Sequence, residues 1–350
     1  MINRKKTKVI SVGDVRIGGD NPITVQSMTN TITKDIDSTV KQIKSLEEAG
    51  CDIIRFAINN FDDANAILKI KDNISIPTIA DIQYDYRLAL EAAKGGIDCL
   101  RINPGNIGAR WKVEEVVNAC KFYNIPIRIG VNSGSIHQTF LDKYNGVNEN
   151  SICHSALEEI EILESMNFYD IKVSLKASNV NLSIDSYKKF SSLSDYPLHL
   201  GITEAGPSFI GTIKSSVGIG TLLSMGIGDT IRVSLTADPV EEVRVGREIL
   251  KSLGLLTDGI ELISCPTCAR TKIDLIEIVK LAEKRLSGLN KNLKVALMGC
   301  PVNGPGEARE ADIGIAGGNG VGIIFKKGKI IKKVSEENLL DELFNEIDSL

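Results

Sequence analysis

Cys265-Pro266-Thr267-Cys268 and Cys300 are the residues of this 350-residue chain whose types and spacing point most directly to chemistry. Two thiols separated by two residues can reach one metal or one cluster. Cys300 lies thirty-two residues after Cys268 and opens the run Cys300-Pro301-Val302-Asn303-Gly304-Pro305-Gly306-Glu307. Three thiolates leave one coordination position for something else. A C-x-x-C pair also suits zinc or a thioredoxin-like redox motif. Structural zinc, however, closes its shell with a fourth Cys or a His, and His137, His154 and His199 all lie far upstream. The spacing therefore favours an iron–sulfur cluster in a redox enzyme. Glu307 sits in a Gly-Pro-Gly-Glu turn; a carboxylate is an unusual but exchangeable iron ligand, whereas most turn glutamates are simply solvated. Cys51, Cys99 and Cys120 read as small buried hydrophobes, and Cys153, beside His154, as packed or solvated.

A second set of residues is basic. Arg55, Arg101, Arg128, Lys176 and Arg232 fall at the ends of apolar runs that read as strands. With them come Gln26, Ser27, Asn30, Asp81, Asn103, Asn132, Lys172, Thr203, Glu204 and Ser234. An apolar core does not tolerate a guanidinium in most of its strands, because an unpartnered buried cation is expensive. Each cation could pair with a carboxylate or face solvent at a strand end. Taken as a set they predict one mouth that binds a highly charged anion, since arginine forks match phosphate oxygens. A small molecule bearing a diphosphate is the natural candidate. Glu204 and Asp81 are carboxylates among cations, suited to proton donation or to charge balance.

The elements that must position these residues alternate. Strand patterns fall at 23–28, 51–57, 77–82, 98–103, 126–131, 170–176, 197–203 and 230–235. Helical patterns lie between them, for example at 36–49, 85–95, 112–123, 154–166 and 239–252. Eight βα units in about 250 residues predict a TIM (β/α)8 barrel, with a doubly wound sheet as the competitor. Active sites of such barrels form at the C-terminal ends of the strands. Residues 8–18 read as a hairpin closing the barrel bottom. After a break at 253–259 the pattern changes to strands at 260–264, 293–298 and 312–316, a helix at 273–286, a hairpin at 321–334 turning at Lys327-Gly328-Lys329, and a last helix at 336–349. The expected division is a substrate-binding barrel over 1–254 and a small α+β cluster domain over 255–350.

Composition bounds the class. Hydrophobic residues make up 43% and charged residues 25% of the chain, ordinary globular values. The net charge of -4 argues against a general nucleic-acid binder. No apolar run approaches the roughly 18 residues of a membrane span. The basic start, with Arg4, Lys5, Lys6 and Lys8, is followed by no apolar stretch of a secretory signal. Seven cysteines, an odd number, fit no disulfide framework. A cytoplasmic protein is expected.

The runs PITVQSMTNT (22–31), ADIQYDYRLAL (80–90), LRINPGNIG (100–108), PIRIGVNSGS (126–135), SLKASNV (174–180), LHLGITEAG (198–206), IRVSLT (231–236), SCPTCAR (264–270) and GCPVNGPGEAREADIGIAGG (299–318) resemble the bacterial 4-hydroxy-3-methylbut-2-enyl diphosphate synthase family, in order and over nearly the whole chain. The resemblance implies a TIM barrel followed by a ferredoxin-reductase-like α+β domain with a [4Fe-4S] cluster. It implies two-electron reductive ring opening, with loss of water, of 2-C-methyl-D-erythritol 2,4-cyclodiphosphate in the non-mevalonate isoprenoid pathway, fed by reduced flavodoxin or ferredoxin. It implies a homodimer in which one subunit's cluster serves the other's barrel. Carried over by position, the cluster ligands would be Cys265, Cys268, Cys300 and Glu307. The diphosphate would meet Arg55, Arg101, Arg128 and Lys176, with Asn132 and Arg232 nearby, and Glu204 would be the acid. Gln26 and Asp81 complete the expected substrate set. One departure stands out: the family's His-Phe-Asp-Tyr-Arg reads Gln83-Tyr84-Asp85-Tyr86-Arg87 here. Glutamine can hydrogen-bond a phosphate but carries no proton at neutral pH. A barrel enzyme with zinc in its tail would be colourless, and a cluster-based sensor would bind without turnover.

Overall fold

The structure, a computed structural model, describes every residue except Met1, Ser287, Gly288, Asn290, Asn303, Gly304, Pro305 and Glu307. It divides into two compact units, Met1–Leu255 and Leu256–Leu350. No helix among the described residues is long and apolar enough to cross a membrane.

The first unit opens with an antiparallel hairpin, β1 (Ile10–Val12) and β2 (Val15–Ile17). Gly13 at its tip has φ 55°, and a Cβ there would sit 2.9 Å from Pro77 Cβ, so both conformation and space require glycine. Ile10, Val12 and Ile17 pack on Ile53, Ile79 and Cys99, which lie at the N-terminal ends of their strands. The hairpin thereby seals the barrel bottom, as the sequence predicts.

The barrel strands are β3 (Thr24–Met28), β4 (Ile53–Ala57), β5 (Thr78–Asp81), β6 (Cys99–Ile102), β7 (Ile127–Asn132), β8 (Ile171–Lys176), β9 (His199–Leu200) and β10 (Thr230–Ile231). They pair in the order β8-β7-β6-β5-β4-β3-β10-β9. The Val173 N–H donates to the Pro197 carbonyl at 3.0 Å beside a parallel Val173–Leu198 bridge, which closes the ring. A helix follows each strand, and several begin with a side-chain cap: Asp35 accepts from Ser38, Asn60 from Asp63 and Asn179 from Leu182. This is a TIM barrel rather than a doubly wound sheet.

Three sequence expectations need correction. β9 and β10 are two-residue strands, not the runs 197–203 and 230–235. Beyond Leu200 the pairing thins to isolated contacts, among them Arg232 N–H to Leu200 carbonyl, Thr203 N–H to Ala177 carbonyl and Thr236 N–H to Gly206 carbonyl. The helix expected at 154–166 spans Glu149–Glu164, starting five residues early because Asn148 and Ser151 form a capping box there.

In the second unit, β11 (Ile260–Ser264), β12 (Leu293–Met298) and β13 (Ile313–Ala316) are parallel, and β14 (Val321–Lys326) and β15 (Lys329–Ser335) complete the sheet antiparallel, in the order β11 to β15. Helices Leu275–Leu286 and Leu339–Asp348 bury Leu275, Ala282, Leu286, Leu339, Leu343 and Ile347 in one core with Val295, Leu297, Ile313 and Ile315.

The barrel interior is polar where most are aliphatic. Lys172, on β8, is fully buried and its Nζ has no hydrogen-bond partner. Burial lowers its pKa to about 8. Between that value and the free-lysine value of 10.5, the unfolded chain holds more protons than the fold, so stability rises with pH in that window. Below it the buried charge costs about 3 kcal/mol, at about 1.4 kcal/mol per unit. Lys172→Met should therefore raise the melting temperature at pH 7 by several degrees. That gain should shrink as pH rises from about 8 towards 10. A calorimetric pH series in which Lys172→Met melts lower than the parent at pH 7 would refute this account.

Candidate active site

Strand register gathers the predicted cations. In the parallel ladder Asp81 lies beside Arg101, Arg101 beside Arg128, Arg55 beside Met28 and Lys176 beside Asn132. Residues in register point to the same face. The face is the barrel interior, because Arg128 Nη1 reaches across it to Gln26 Oε1 at 3.3 Å. Arg55, Arg101, Arg128 and Lys176 are each at most 9% exposed. Burial pulls the Arg55 and Lys176 pKa values well below their ordinary ranges; Arg128, Arg232 and Arg101 lower both further, and only at Arg55 does Asp81 oppose the shift. The same causes, burial first and then Arg101, bring Arg128 down to about 10.

The carboxylates balance only part of this charge. Asp81 meets Arg101 Nη1 at 3.1 Å and Arg55 Nε at 3.8 Å. Burial opposes its ionisation, but Arg55, Arg101 and Arg128 outweigh burial and hold the Asp81 carboxyl below the usual range. Arg232 pairs with Glu242 at 3.4 Å. Arg55 otherwise donates to the Met28 thioether, at 3.2 Å from Nε and 2.9 Å from Nη2, a weak acceptor. Arg128 has the Gln26 amide oxygen alone, and Lys176 has no partner among the described residues. The Nε atoms of Arg101, Arg128 and Arg232 are buried without acceptors. Five cations thus face two carboxylates.

Glu204 stands apart from them. It is exposed, in the loop after β9, with φ 52°. A non-glycine residue in the left-handed region is strained by about 1–3 kcal/mol, and such strain concentrates at functional sites. Gln83, where the resembling family usually has histidine, donates to Asp81 Oδ1 at 3.4 Å.

Several partners had no sequence signal. Glu242, on helix Pro239–Ser252, accepts the Leu235 N–H at 2.8 Å while pairing with Arg232. Gly130 and Gly201 make room for the cations: a Cβ would sit 2.8 Å from Arg101 Nε at the first and 2.8 Å from Lys176 Nζ at the second. Lys172, grouped with the strand-end residues by sequence, lies on β8 in register with Arg128 and four residues before Lys176, below the mouth. Ser27 is buried between inward neighbours Gln26 and Met28, so it points out of the barrel.

In the second unit, β11 and the neighbouring β12 end side by side, so Cys265 and Cys300 leave adjacent strand ends. The Gly299 N–H donates to Cys265 Sγ at 3.2 Å, and Lys272 N–H to the Gly299 carbonyl at 2.9 Å, stitching the two cysteine loops together. Cys300 is buried, Cys265 half-buried and Cys268 exposed. A backbone hydrogen bond from Arg270, then contacts from Thr271 and the Arg270 charge, lower the Cys268 thiol pKa. Among the described residues no three His, Cys, Asp or Glu side chains converge on a single metal ion. Glu307 lies outside the described residues. Cys51, Cys99, Cys120 and Cys153 are buried, and desolvation raises their thiol pKa values, as expected of core filler.

A family model described as the GcpE TIM-barrel domain matches residues 7–247, and one described as the GcpE protein C-terminal domain matches residues 261–349. The chain is 61% identical over 349 residues, 100% of both chains, to a protein of Clostridium acetobutylicum named 4-hydroxy-3-methylbut-2-en-1-yl diphosphate synthase (flavodoxin). A protein of the same name from Caldanaerobacter subterraneus subsp. tengcongensis is 60% identical over 99% of this chain and 98% of its own length. Among solved structures, the type I 3-dehydroquinate dehydratase of Clostridium difficile matches 71% of this chain and 98% of its own with a TM-score of 0.52 at 14% identity. Yersinia pestis dihydropteroate synthase matches 70% and 97% with 0.51 at 12%; these two share the barrel fold alone. With both models matched in order and relatives this similar along their full length, the chain belongs to the GcpE family.

Proposed function

We propose that this chain catalyses the two-electron reductive ring opening of 2-C-methyl-D-erythritol 2,4-cyclodiphosphate to 4-hydroxy-3-methylbut-2-enyl diphosphate, two protons being taken up and one water released. The observation that carries it is the surplus of cations in the interior: buried Arg55, Arg101, Arg128 and Lys176 with half-buried Arg232, against Asp81 and Glu242. Only a polyanion of small size relieves that surplus inside a closed barrel. The shared name of the relatives, a diphosphate synthase with flavodoxin in parentheses, agrees with a diphosphate in the mouth and supports reduced flavodoxin, or a ferredoxin of like potential, as electron donor. The homodimer implied by the family resemblance, with one subunit's cluster serving its partner's barrel, belongs to the same proposal.

Each residue then has a task. Arg128 and Lys176, which lack carboxylate partners, take the diphosphate most directly. Arg55 and Arg101, oriented by Asp81, and Arg232, oriented by Glu242, complete the cradle. As the ring C–O bond breaks, charge grows on the freed diphosphate oxygen, and these fixed cations stabilise it without reorganising. Gln26 and Asn132 supply neutral contacts at the rim and floor. Glu204 gives the departing hydroxyl its proton, so that it leaves as water.

The cysteine loops fit a [4Fe-4S] cluster: three thiols leave two stitched loops at adjacent strand ends, Cys268 is biased towards thiolate, and the Gly299 N–H is already aimed at Cys265 sulfur. Cys265, Cys268 and Cys300 would hold it, with Glu307 as the fourth, exchangeable ligand. When bound, the cluster supplies the two electrons one at a time. The barrel over 1–254 is the substrate domain in this reading, and 255–350 the cluster domain.

Three outcomes test it. Lys176→Met should raise the melting temperature of the ligand-free protein, because a buried like charge is removed, while weakening binding of the cyclodiphosphate at least about tenfold. Calorimetric titration finding unchanged affinity would remove Lys176 from the site. Glu204→Gln should lower turnover roughly 100-fold or more in a dithionite-driven assay and leave the dissociation constant within about twofold. Turnover at the parent rate would exclude Glu204 as the acid. After anaerobic purification, Cys300→Ser should lose iron and sulfide; a fully iron-loaded variant would contradict the ligand set.

A further inference from the structure

A buried carboxylate outside the cation cluster joins the loops that follow two of the strands that carry it. Glu159, on helix Glu149–Glu164, is 1% exposed. Both of its carboxylate oxygens lie 3.1 Å from the Gly105 nitrogen and accept its N–H. Asn103 Oδ1 accepts the same N–H at 3.0 Å. Gly105 belongs to the loop after β6 and follows Arg101 by four residues.

From the other side comes His137, in the loop after β7, the strand of Arg128 and Asn132. Its Nε2 stands 3.8 Å from Glu159 Oε1, and its Nδ1 stands 3.3 Å from Glu158 Oε2. The junction is tight. A Cβ on Gly105 would fall 2.3 Å from His137 Nε2 and 2.9 Å from Glu159 Oε1, closer than real atoms approach. A methyl group at 105 would therefore push both side-chain ends aside, although the φ there is ordinary.

A carboxylate this deeply buried is expensive, and hydrophobic residues of similar volume are often as stable or more so. What this one does that a leucine could not is hold two loops in register. We propose that Glu159 is a positioning residue for the anion site: with His137 it ties the loop after β6 to the loop after β7, and so fixes Arg101, Arg128 and Asn132 around the substrate's diphosphate. The inference rests on reading the cation cluster as the cyclodiphosphate site.

The titratable groups facing Glu159 are His137 from the β7 loop and Glu158 from its own helix, while the β6 loop offers backbone only. Burial is the main reason the Glu159 carboxyl is pushed up to about 7; Glu158 pushes the same way, and the Gly105 N–H opposes. The carboxylate form makes a charge-assisted hydrogen bond with the Gly105 N–H, both oxygens lying 3.1 Å from the nitrogen. The acid form offers that N–H only a weaker, neutral acceptor. Glutamine at 159 copies the acid form at every pH, in nearly the same shape.

The experiment is calorimetric titration of the holoenzyme with the cyclodiphosphate from pH 6 to pH 8, comparing the parent with Glu159→Gln. The ligand's own phosphate titration is common to both, so the ratio of their dissociation constants isolates position 159. At pH 6 the two should bind alike. At pH 8 the parent should bind about tenfold tighter, the loss expected for one charge-assisted contact. A ratio that stays constant across the range would overturn the proposal and leave the substrate reading standing. If the parent itself fails to bind, the substrate reading falls and takes this role with it. Gly105→Ala, which crowds the junction with no change of charge, should weaken binding at every pH while keeping the parent's pH dependence; parent-like affinity would equally overturn the proposal.

Discussion

Mutual repulsion among cations inside a closed barrel is the constraint on which the rest of this structure depends. At the effective dielectric of a partly buried site, two unit charges 4 Å apart interact by about 4 kcal/mol. Arg55, Arg101, Arg128, Lys176 and Arg232 all point into one interior, and burial with shared charge lowers the pKa of Arg55, Arg128 and Lys176. The fold answers locally. Asp81 is shared by two guanidinium groups, Glu242 braces a third, and the Met28 sulfur fills the space against Arg55. None of these removes the surplus. A protein selected for stability alone would have filled the same volume with Leu and Ile, and the proposed diphosphate ligand carries the negative charge that the surplus lacks.

Parallel register is what makes the crowding unavoidable and useful. In a parallel ladder, side chains at the same level on adjacent strands face the same way. Inward basic residues on β4, β6, β7 and β8, with Arg232 just past β10, therefore crowd one interior. Arg101 and Arg128 are direct neighbours there. Gly130 and Gly201 then become necessary, because crowded long side chains need gaps in the facing wall. The same logic serves the small unit on a lesser scale: β11 and β12 end together, and the cysteine loops that leave them are held by backbone hydrogen bonds before any ligand is considered.

How much of this could be read from the chain follows from what is local. Strands β3 to β8 were legible as apolar runs set off by Pro, Gly or Asp, and they appear within one or two residues of expectation. β9 and β10 were not, because their outer residues keep an apolar look while the backbone leaves the ladder around Gly201. Lys172 was grouped with the strand-end residues, whereas its depth in the interior depends on the shear of the closed barrel. Glu242, Met28 and the Gln26–Arg128 contact were invisible for a related reason. Closure brings the partners of Met28 and Gln26 from 204 and 102 residues away in sequence, while Glu242 meets Arg232 only ten residues off but across a strand-to-helix turn. The capping box at Asn148 was readable but unread, since its Ser at the third position is a less common partner than Glu.

The two carboxylates of the mouth show how one barrel separates charge balance from proton supply. Sequence alone left Asp81 and Glu204 open to either task. Asp81 is buried among arginines that hold its proton off, and both its oxygens are engaged. A group in that setting anchors guanidinium groups and cannot serve as an acid near neutral pH. Glu204 has the opposite setting: exposed, without an arginine partner among the described residues, and fixed in a left-handed backbone conformation that costs energy to keep. Gln83 sharpens the division. Where the resembling family places a histidine, this chain has an amide that can only donate to Asp81 or accept from a ligand. A side chain at position 83 can then orient but not titrate, which in the proposed reaction leaves the proton to Glu204.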